Sequence, residues 1–518
     1  MPPSSPNSQV RLNLNLSGAR QRLAEIFGFA DFRSIQAAVI EDLLNSKNVL
    51  LLMPTGMGKS LCYQLPARLF SEAQSAGGES QKNVVTAVTV VVSPLIALMK
   101  DQVDGLFKKN FKVCFINSSL DSNEKKLRYK KLAQNQYEII YVTPERFRNV
   151  EFREALLKNK IALLAVDEAH CISSWGHDFR PDYSRLGEIR ASLGDPLTIA
   201  LTATATPQVQ KDIISELRLD QGGESCFATH DAGLERKNLA ISVVDIYGLA
   251  QKVQAFAAFK FERPGASIVY FSLIDTLEKF SRELSKINIR HLIYHGQMSA
   301  KERSRTQNLF LANAEGEDSI ILATPAFGLG IDKENIRSIF HAEIPGSIEA
   351  YYQEIGRAGR DGLAAHCYLL FDQDDLSIQM DFVKWAHPDP GFIQALFNLL
   401  ERNLDRVKAQ GLDYLRTQLN FYNRRDFRLE TALNQLERWE CISSTDPREL
   451  SILSAPPQEF LQESRHQEFL KNQHCKLLEI LQFAQANTGC RMTRIKNYFG
   501  YSDDQSCGVC DLCLQGAT

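Results

Sequence analysis

Residues Asn48 to Phe70 read NVLLLMPTGMGKSLCYQLPARLF: an apolar run, a loop holding two glycines and a lysine, then a stretch of helical character. That order is the one a phosphate-binding loop requires. The glycines let backbone N–H groups turn toward phosphate oxygens at a helix N-terminus, where the helix dipole also favours an anion. Lys59 would neutralise the outer phosphates, and Ser60 is placed to hold Mg²⁺. Thr55, Gly56, Met57, Gly58, Lys59 and Ser60 thus read as a nucleotide cradle, although Met53 stands where the generic pattern has its first glycine. A plain tight turn that matches by chance is the alternative.

Outward from that loop, short β-branched runs (NVLLLM, AVTVVV, KVCFI, YEIIYV, IALLAV, LTIAL) alternate with helix-like segments between about residues 48 and 202. Such alternation predicts a parallel sheet covered on both faces. A second series follows Leu239 (ASIVYF, RHLIYH, DSIILAT, RSIFHA, AHCYLLF), which makes the chain α/β with two tandem domains. The join is expected between Asp220 and Asn238, where QGGES and DAG supply turn residues. After Asp375 the strand signal fades. Leu429, Leu433, Leu436 and Trp439 recur at helical spacing, followed by Cys441 and Ile442, and predict the core of a small helical domain. A winged-helix recognition element is the other reading there, because Arg424, Arg425 and Arg428 lie beside Phe421, Tyr422 and Phe427. The expected divisions are a polar tail over 1–19, α/β domains over 20–220 and 221–375, a mainly helical region over 376–480 and a cysteine module over 481–518.

The whole-chain quantities agree. At roughly 150 residues per domain, a length of 518 residues points to several domains. Hydrophobic residues at 44% and charged residues at 23% exclude a disordered scaffold. The net charge of −3 provides no global positive field, so any polyanion must be met by local patches. Val84 to Met99, the most apolar stretch, is too short to cross a bilayer and carries Thr86, Thr89, Ser93 and Pro94. The N-terminal residues lack the apolar block of a signal peptide, and a cytoplasmic location is expected.

Two further clusters carry chemistry. About 110 residues past Lys59, IALLAV ends in Asp167, Glu168, Ala169 and His170. A carboxylate at a strand's C-terminal end suits metal binding, and Glu168 next to it can activate an attacking water. In the second domain QEIGRAGR holds Gln353, Arg357 and Arg360. Its arginines, three apart, could reach a γ-phosphate, a contact worth about 10³ to 10⁵ in turnover. The plain alternatives are an acidic loop and a solvated basic face.

Taken in order, MPTGMGKS, VVSPLIALMKDQ, VTPERF, DEAHCISSWGHDFRPDY, LTATA, ATPAFGLGIDK and YYQEIGRAGRDG resemble the motifs of the RecQ family of superfamily-two DNA helicases. The likeness covers roughly residues 20 to 375 and the last 30. It implies two RecA-like domains and a small zinc-binding module, and the mainly helical region read above lies between the second domain and most of the zinc ligands as an addition to the family pattern. FGFADFRSIQ is similar to the family's adenine-reading segment, which implies that Phe29, Arg33 and Gln36 contact the base. SSWGHDFR resembles its aromatic-rich loop, which implies that His170, Trp175, His177, Phe179 and Arg180 couple single-strand binding to hydrolysis. Stacking on Trp175 or Phe179 would be worth about 1–3 kcal/mol per base; core packing is the other role for such rings. The implied activity is ATP-driven 3′-to-5′ translocation on single-stranded DNA with duplex unwinding, in recombination and repair. Its cofactors are ATP, Mg²⁺ and Zn²⁺, and its partner is single-stranded or partly duplex DNA. The expected protein is a monomer that touches no membrane, nucleoid-associated or nuclear according to its host. Two other readings stay open: an annealing scaffold with a vestigial motor, and an ATPase that remodels RNA or protein–DNA complexes without parting strands.

Eleven cysteines without an export signal argue against a disulfide framework. Cys490, sixteen intervening residues and then Cys507-x2-Cys510-x2-Cys513 supply the four thiolates of a closed zinc site. An iron–sulphur cluster is the rival, but the ferredoxin run would place its fourth cysteine at Ala517. Zinc binding would contribute about 10 to 16 kcal/mol in apparent terms to so small a module. RecQ-like chains usually carry a winged helix after this module; here the sequence ends five residues past Cys513, so none is expected in that place.

Overall fold

The computed structural model describes residues 15–75, 87–94, 96–117, 120–173, 181–312, 319–328, 333–419, 428–439, 441–502 and 505–516. They form two compact units, the first built mainly from residues up to Arg236 and the second mainly from Lys237 onward. Thirteen strands are present among the described residues: β1 (Asn48–Leu52), β2 (Val88–Val92), β3 (Val113–Ile116), β4 (Ile139–Val142), β5 (Ile161–Val166), β6 (Thr198–Thr202), β7 (Phe227–Asp231), β8 (Leu239–Asp245), β9 (Ala266–Tyr270), β10 (Leu292–Tyr294), β11 (Ile320–Ala323), β12 (Ile336–His341) and β13 (Ala365–Phe371).

In the first unit the strand order is β3-β4-β2-β5-β6-β1-β7, every pair parallel. The β-branched runs form strands because both faces are covered. Leu50, Val90, Ile140, Leu164 and Ala200 enter one apolar core, while Val49, Leu51, Val91, Ile139, Leu163 and Ile199 enter another on the opposite side. Successive residues alternate between faces, so continuous apolarity is needed. Cutting any of these large side chains to alanine would cost about 2–5 kcal/mol.

The first sheet reaches beyond the boundary expected at residue 220, since β7 pairs with β1 from Asn48↔Phe227 to Leu52↔Asp231. Its sequence, FATHD, is polar because an edge strand buries little. The tail expected over 1–19 is also shorter than read. A helix spans Leu16–Phe27, its N-terminus capped by Asn15, whose side chain accepts from Gly18 N at 2.9 Å. Ala19 and Leu23 of that helix are buried.

The second unit contains a parallel sheet in the order β10-β11-β9-β12-β13-β8. Val269, Leu322, Phe340 and Leu370 pack beneath helices that supply Phe256, Leu277 and Phe280. Beyond it, the helices Pro390–Gln410, Leu412–Gln418 and Arg428–Arg438 share a core of their own, made by Leu396, Leu400, Leu415, Leu429, Leu433 and Leu436 with Cys441 and Ile442. Asp389 caps the first of these helices and Pro390 occupies its first turn. A short antiparallel bridge, Ile442↔Ile452, follows the third. Arg428 lies over the ring of Phe392 at 5.2 Å. Arg424, Arg425, Phe421, Tyr422 and Phe427 lie outside the described residues. Among the described residues no helix is long and apolar enough to cross a membrane.

Candidate active site and metal centre

In the first sheet β6 lies between β1 and β5, so the loops leaving these three strands emerge side by side. Ligands of open α/β sheets sit at such carboxyl ends. Gly56 and Gly58 take φ values of +83° and +85°, which turn the loop after β1 back on itself. A Cβ on Gly58 would approach Gln36 Nε2 to 2.7 Å. That amide donates to the carbonyls of Met57 at 3.2 Å and Gly58 at 3.1 Å, and Gln36 Oε1 accepts from Arg33 N at 2.9 Å. Gln36 is thus fastened to the glycine loop. Phe29 is 45% exposed, and the Arg33 guanidinium sits 5.5 Å from the centre of its ring.

At the end of β5 the acids are held under strain. Glu168 has φ +49°, a left-handed conformation that costs a non-glycine residue of order 1–3 kcal/mol. Its N–H donates to Asp167 Oδ1 at 3.0 Å, and Tyr183 donates to the Asp167 carbonyl at 3.1 Å. Burial, and then the charge of Glu168, pushes the Asp167 carboxyl up to about 7, while Lys59 and the Glu168 N–H pull it down. A buried acid with a lysine in its field is one that a cation would stabilise as the anion.

His170 is buried, its Nδ1 3.0 Å from Thr202 Oγ1 and 3.3 Å from Glu168 Oε2. Thr202 Oγ1 already donates to the Thr204 carbonyl at 2.9 Å, so the proton on this contact belongs to His170 Nδ1. One imidazole therefore joins the acid segment to the LTATA segment at the end of β6. Thr202 was quoted within that motif but not singled out by the sequence reading; the signal was the motif itself. Trp175, His177, Phe179 and Arg180 lie outside the described residues.

In the second unit the helix Ile348–Ile355 starts at Ser347, whose hydroxyl accepts from Ala350 N at 3.1 Å, and it carries Gln353 in its last turn. Arg357 and Arg360 follow in a tight turn rather than on the helix. Gly359 has φ +56° there, and a Cβ would meet the Leu363 carbonyl at 2.7 Å. The Gly359 N–H donates to the Ile336 carbonyl at 2.9 Å, which ties this turn to β12. Beneath it His341 Nε2 and Glu354 Oε2 are 2.6 Å apart, both buried. Burial pushes the Tyr270 phenol up, and neighbouring Arg357 opposes the shift. His341 and Tyr270 were missed by sequence reasoning, since residues at strand ends look like core, and Glu354, within QEIGRAGR on the helix, was not singled out.

The four terminal cysteines converge, with all Sγ atoms within 4.8 Å of one another. A zinc–sulphur bond of about 2.3 Å places tetrahedral sulphurs about 3.8 Å apart, and Cys507 Sγ and Cys513 Sγ stand 4.0 Å apart. Cys490 Sγ accepts from Cys507 N at 3.2 Å and Cys510 Sγ from Arg491 N at 3.4 Å. Such bonds favour thiolates. The space suits one tetrahedral ion, and the residues present fit zinc.

Three families match in order along the chain: DEAD/DEAH box helicase over residues 33–213, helicase conserved C-terminal domain over 250–362 and RecQ zinc-binding over 456–514. An ATP-dependent DNA helicase RecQ of Bacillus subtilis is 39% identical over 405 residues, covering 78% of this chain and 63% of that protein. A probable ATP-dependent DNA helicase RecS of the same organism is 34% identical, with 76% of this chain and 75% of that protein aligned. For rat ATP-dependent DNA helicase Q5, at 38% identity, the chain spans 36% of the relative's length. Among solved structures, Saccharomyces cerevisiae Dbp5 bound to RNA and ADP BeF3 superposes with a TM-score of 0.54 at 16% identity, over 71% of this chain and 90% of that one. Mycobacterium smegmatis helicase Lhr bound to ssDNA and AMP-PNP gives 0.52 at 19% identity, over 71% and 50%. These structural likenesses establish two RecA-like parallel-sheet domains. With the relatives' identity spread over three-quarters of the chain, and the zinc-binding match falling on the four convergent thiols, the chain belongs to the RecQ family of helicases.

Proposed function

We propose that the protein is an ATP-dependent DNA helicase that moves 3′ to 5′ along single-stranded DNA and parts the duplex ahead of it. The observation that carries this reading is the cradle at the end of the first sheet. There the glycine loop before Lys59, the Asp167–Glu168 pair and the His170–Thr202 bond occupy the ends of β1, β5 and β6. The names of the relatives support the same substrate and cofactor.

In this proposal Thr55 to Ser60 wrap the phosphates, Gln36 and Arg33 read the adenine and Phe29 covers it. Ser60 and Asp167 hold Mg²⁺, which when bound offsets charge on the phosphate oxygens. Glu168 orients a water and takes its proton. Gln353, Arg357 and Arg360 stabilise charge on the γ-phosphate. His170 passes the state of Glu168 to Thr202 and to the segment holding Trp175, His177, Phe179 and Arg180, which grips the strand. Opening a duplex costs roughly 1.4 kcal/mol per base-pair step, so steady unwinding needs hydrolysis coupled to movement.

Strand displacement on 3′-tailed and 5′-tailed duplexes, made of DNA or RNA, tests the reading. The expected product comes from 3′-tailed DNA with ATP and Mg²⁺ together. ATP turnover without any displacement would leave a remodelling ATPase instead, and DNA-independent turnover would overturn the coupling role. Trp175→Ala is expected to keep ATP binding while losing displacement.

A further inference from the structure

The second unit holds a continuous run of buried polar and aromatic side chains between the cysteine centre and the arginine turn. Arg491 and Asp511 each follow a cysteine ligand, and they pair at 3.0 Å. Asp511 Oδ2 also accepts from Val243 N at 2.9 Å on edge strand β8. Arg491 Nη1 donates to the carbonyls of Phe483 and Ala484, at the C-terminal end of the helix Glu463–Ala484. One guanidinium therefore joins the metal centre to the long helix, and its partner acid joins both to the sheet.

That long helix touches Ile348–Ile355 at two points. Lys476 Nζ lies 3.6 Å from Glu349 Oε1, with the residues 7% and 4% exposed. The ring of Phe483 meets that of Tyr351 at 5.4 Å. On its other side Tyr351 leans on His341 at 4.9 Å, and His341 bonds Glu354 at 2.6 Å, three residues before Arg357. A helix of eight residues does not hold its own conformation in water, so its contacts decide its position. A buried ion pair is a poor source of stability, because desolvating both charges offsets their attraction, and fixing a geometry is a better account of it.

We propose that Lys476 and Glu349 are positioning residues: their ion pair, braced by the four-cysteine module, sets where the helix Ile348–Ile355 lies and so where Gln353, Arg357 and Arg360 are presented. This rests on the reading that those arginines act on the nucleotide. Glu349 pins the first turn of the helix and the arginines follow its last, so a slip at one end displaces the other. Misplacing a reacting group by about 1 Å costs about 10²-fold in rate.

The test uses the full chain with single-stranded DNA, and compares K476M, K476R, R360A and R360A/K476M for ATP kcat and KM, zinc content and amide exchange. K476M is expected to keep its zinc and a KM for ATP within about twofold, and to lose about 10- to 100-fold in kcat. Exchange over residues 348–360 should quicken, K476R should recover most of the loss, and R360A/K476M should be no slower than R360A. Normal kcat with unchanged exchange in K476M overturns the proposal, as does an additive loss in the double variant or loss of zinc with the fall in rate. If K476M does not fold, E349Q/K476M, which leaves neither charge unpaired, is measured against the same outcomes. Normal turnover in R360A would instead overturn the arginine reading, and the exchange over 348–360 would still decide whether the ion pair holds the helix.

Discussion

Glu168 occupies a left-handed backbone conformation beside a buried aspartate, and its side chain reaches His170. Glu168→Gln keeps the shape and the strain while removing the proposed base. DNA-stimulated phosphate release is expected to fall about 10²- to 10⁴-fold, with the thermal midpoint little changed; near-normal release would remove Glu168 from the mechanism. A second prediction concerns His366, whose Nδ1 lies 2.6 Å from Arg263 Nη1. Burial first, and then the Arg263 charge, pushes its imidazole down to about 4. A depressed histidine is neutral in the fold and charges when released, so its contribution is intact above about 6.5, the unfolded value, and is lost as pH falls toward 4. Chemical denaturation at pH 7 and pH 5 should show lower stability at the acid value, and His366→Gln should lessen that difference. The four cysteines were legible residue by residue, and Lys59, Asp167 and Glu168 were picked out in the same way, because motif chemistry depends on identity and spacing. His341 and Glu354 were not, because a buried pair thirteen positions apart in the chain carries no local mark.

Among the elements, the central strands were legible, as were the edge strands β3 and β10, whereas the edge strands β7 and β8 were not. β1, β2, β5 and β6 are buried on both faces and read as apolar runs, whereas β7 and β8 are edge strands whose burial is partial. Periodicity weakens where only one face meets a core. The C-terminal helices are expected to depend on the metal the four thiols would hold, since Arg491–Tyr498 and Asp511–Gln515 are short and directly follow Cys490 and Cys510. Removing zinc with a chelator, or replacing Cys510 by Ser, is therefore expected to loosen these helices before the sheets. Limited proteolysis should cut first within residues 485–516, and circular dichroism should retain most of its signal. A chain equally resistant with and without the metal would show that the thiols are not a structural centre.

For the molecule as a whole, a net charge of −3 means that the DNA of the proposed activity would be held by local cationic patches, whose contribution salt screens. The concentration of single-stranded DNA that half-saturates ATP turnover is expected to rise several-fold between about 50 and 200 mM salt, while turnover at saturating DNA changes far less. A salt-independent value would point to contacts made chiefly by stacking. Composition, strand alternation and ordered motifs were enough to show two α/β domains, a glycine loop after β1, a pair of acids after β5 and a four-thiol centre, because each is written in residues close together in the chain or in types with few other uses. Only tertiary structure decided that β7 completes the first sheet, that His170 bonds Thr202 and that Lys476 meets Glu349. Those contacts join segments 32 to 179 residues apart. Which distant side chains meet is settled by packing and strand order, and neither has a local signature.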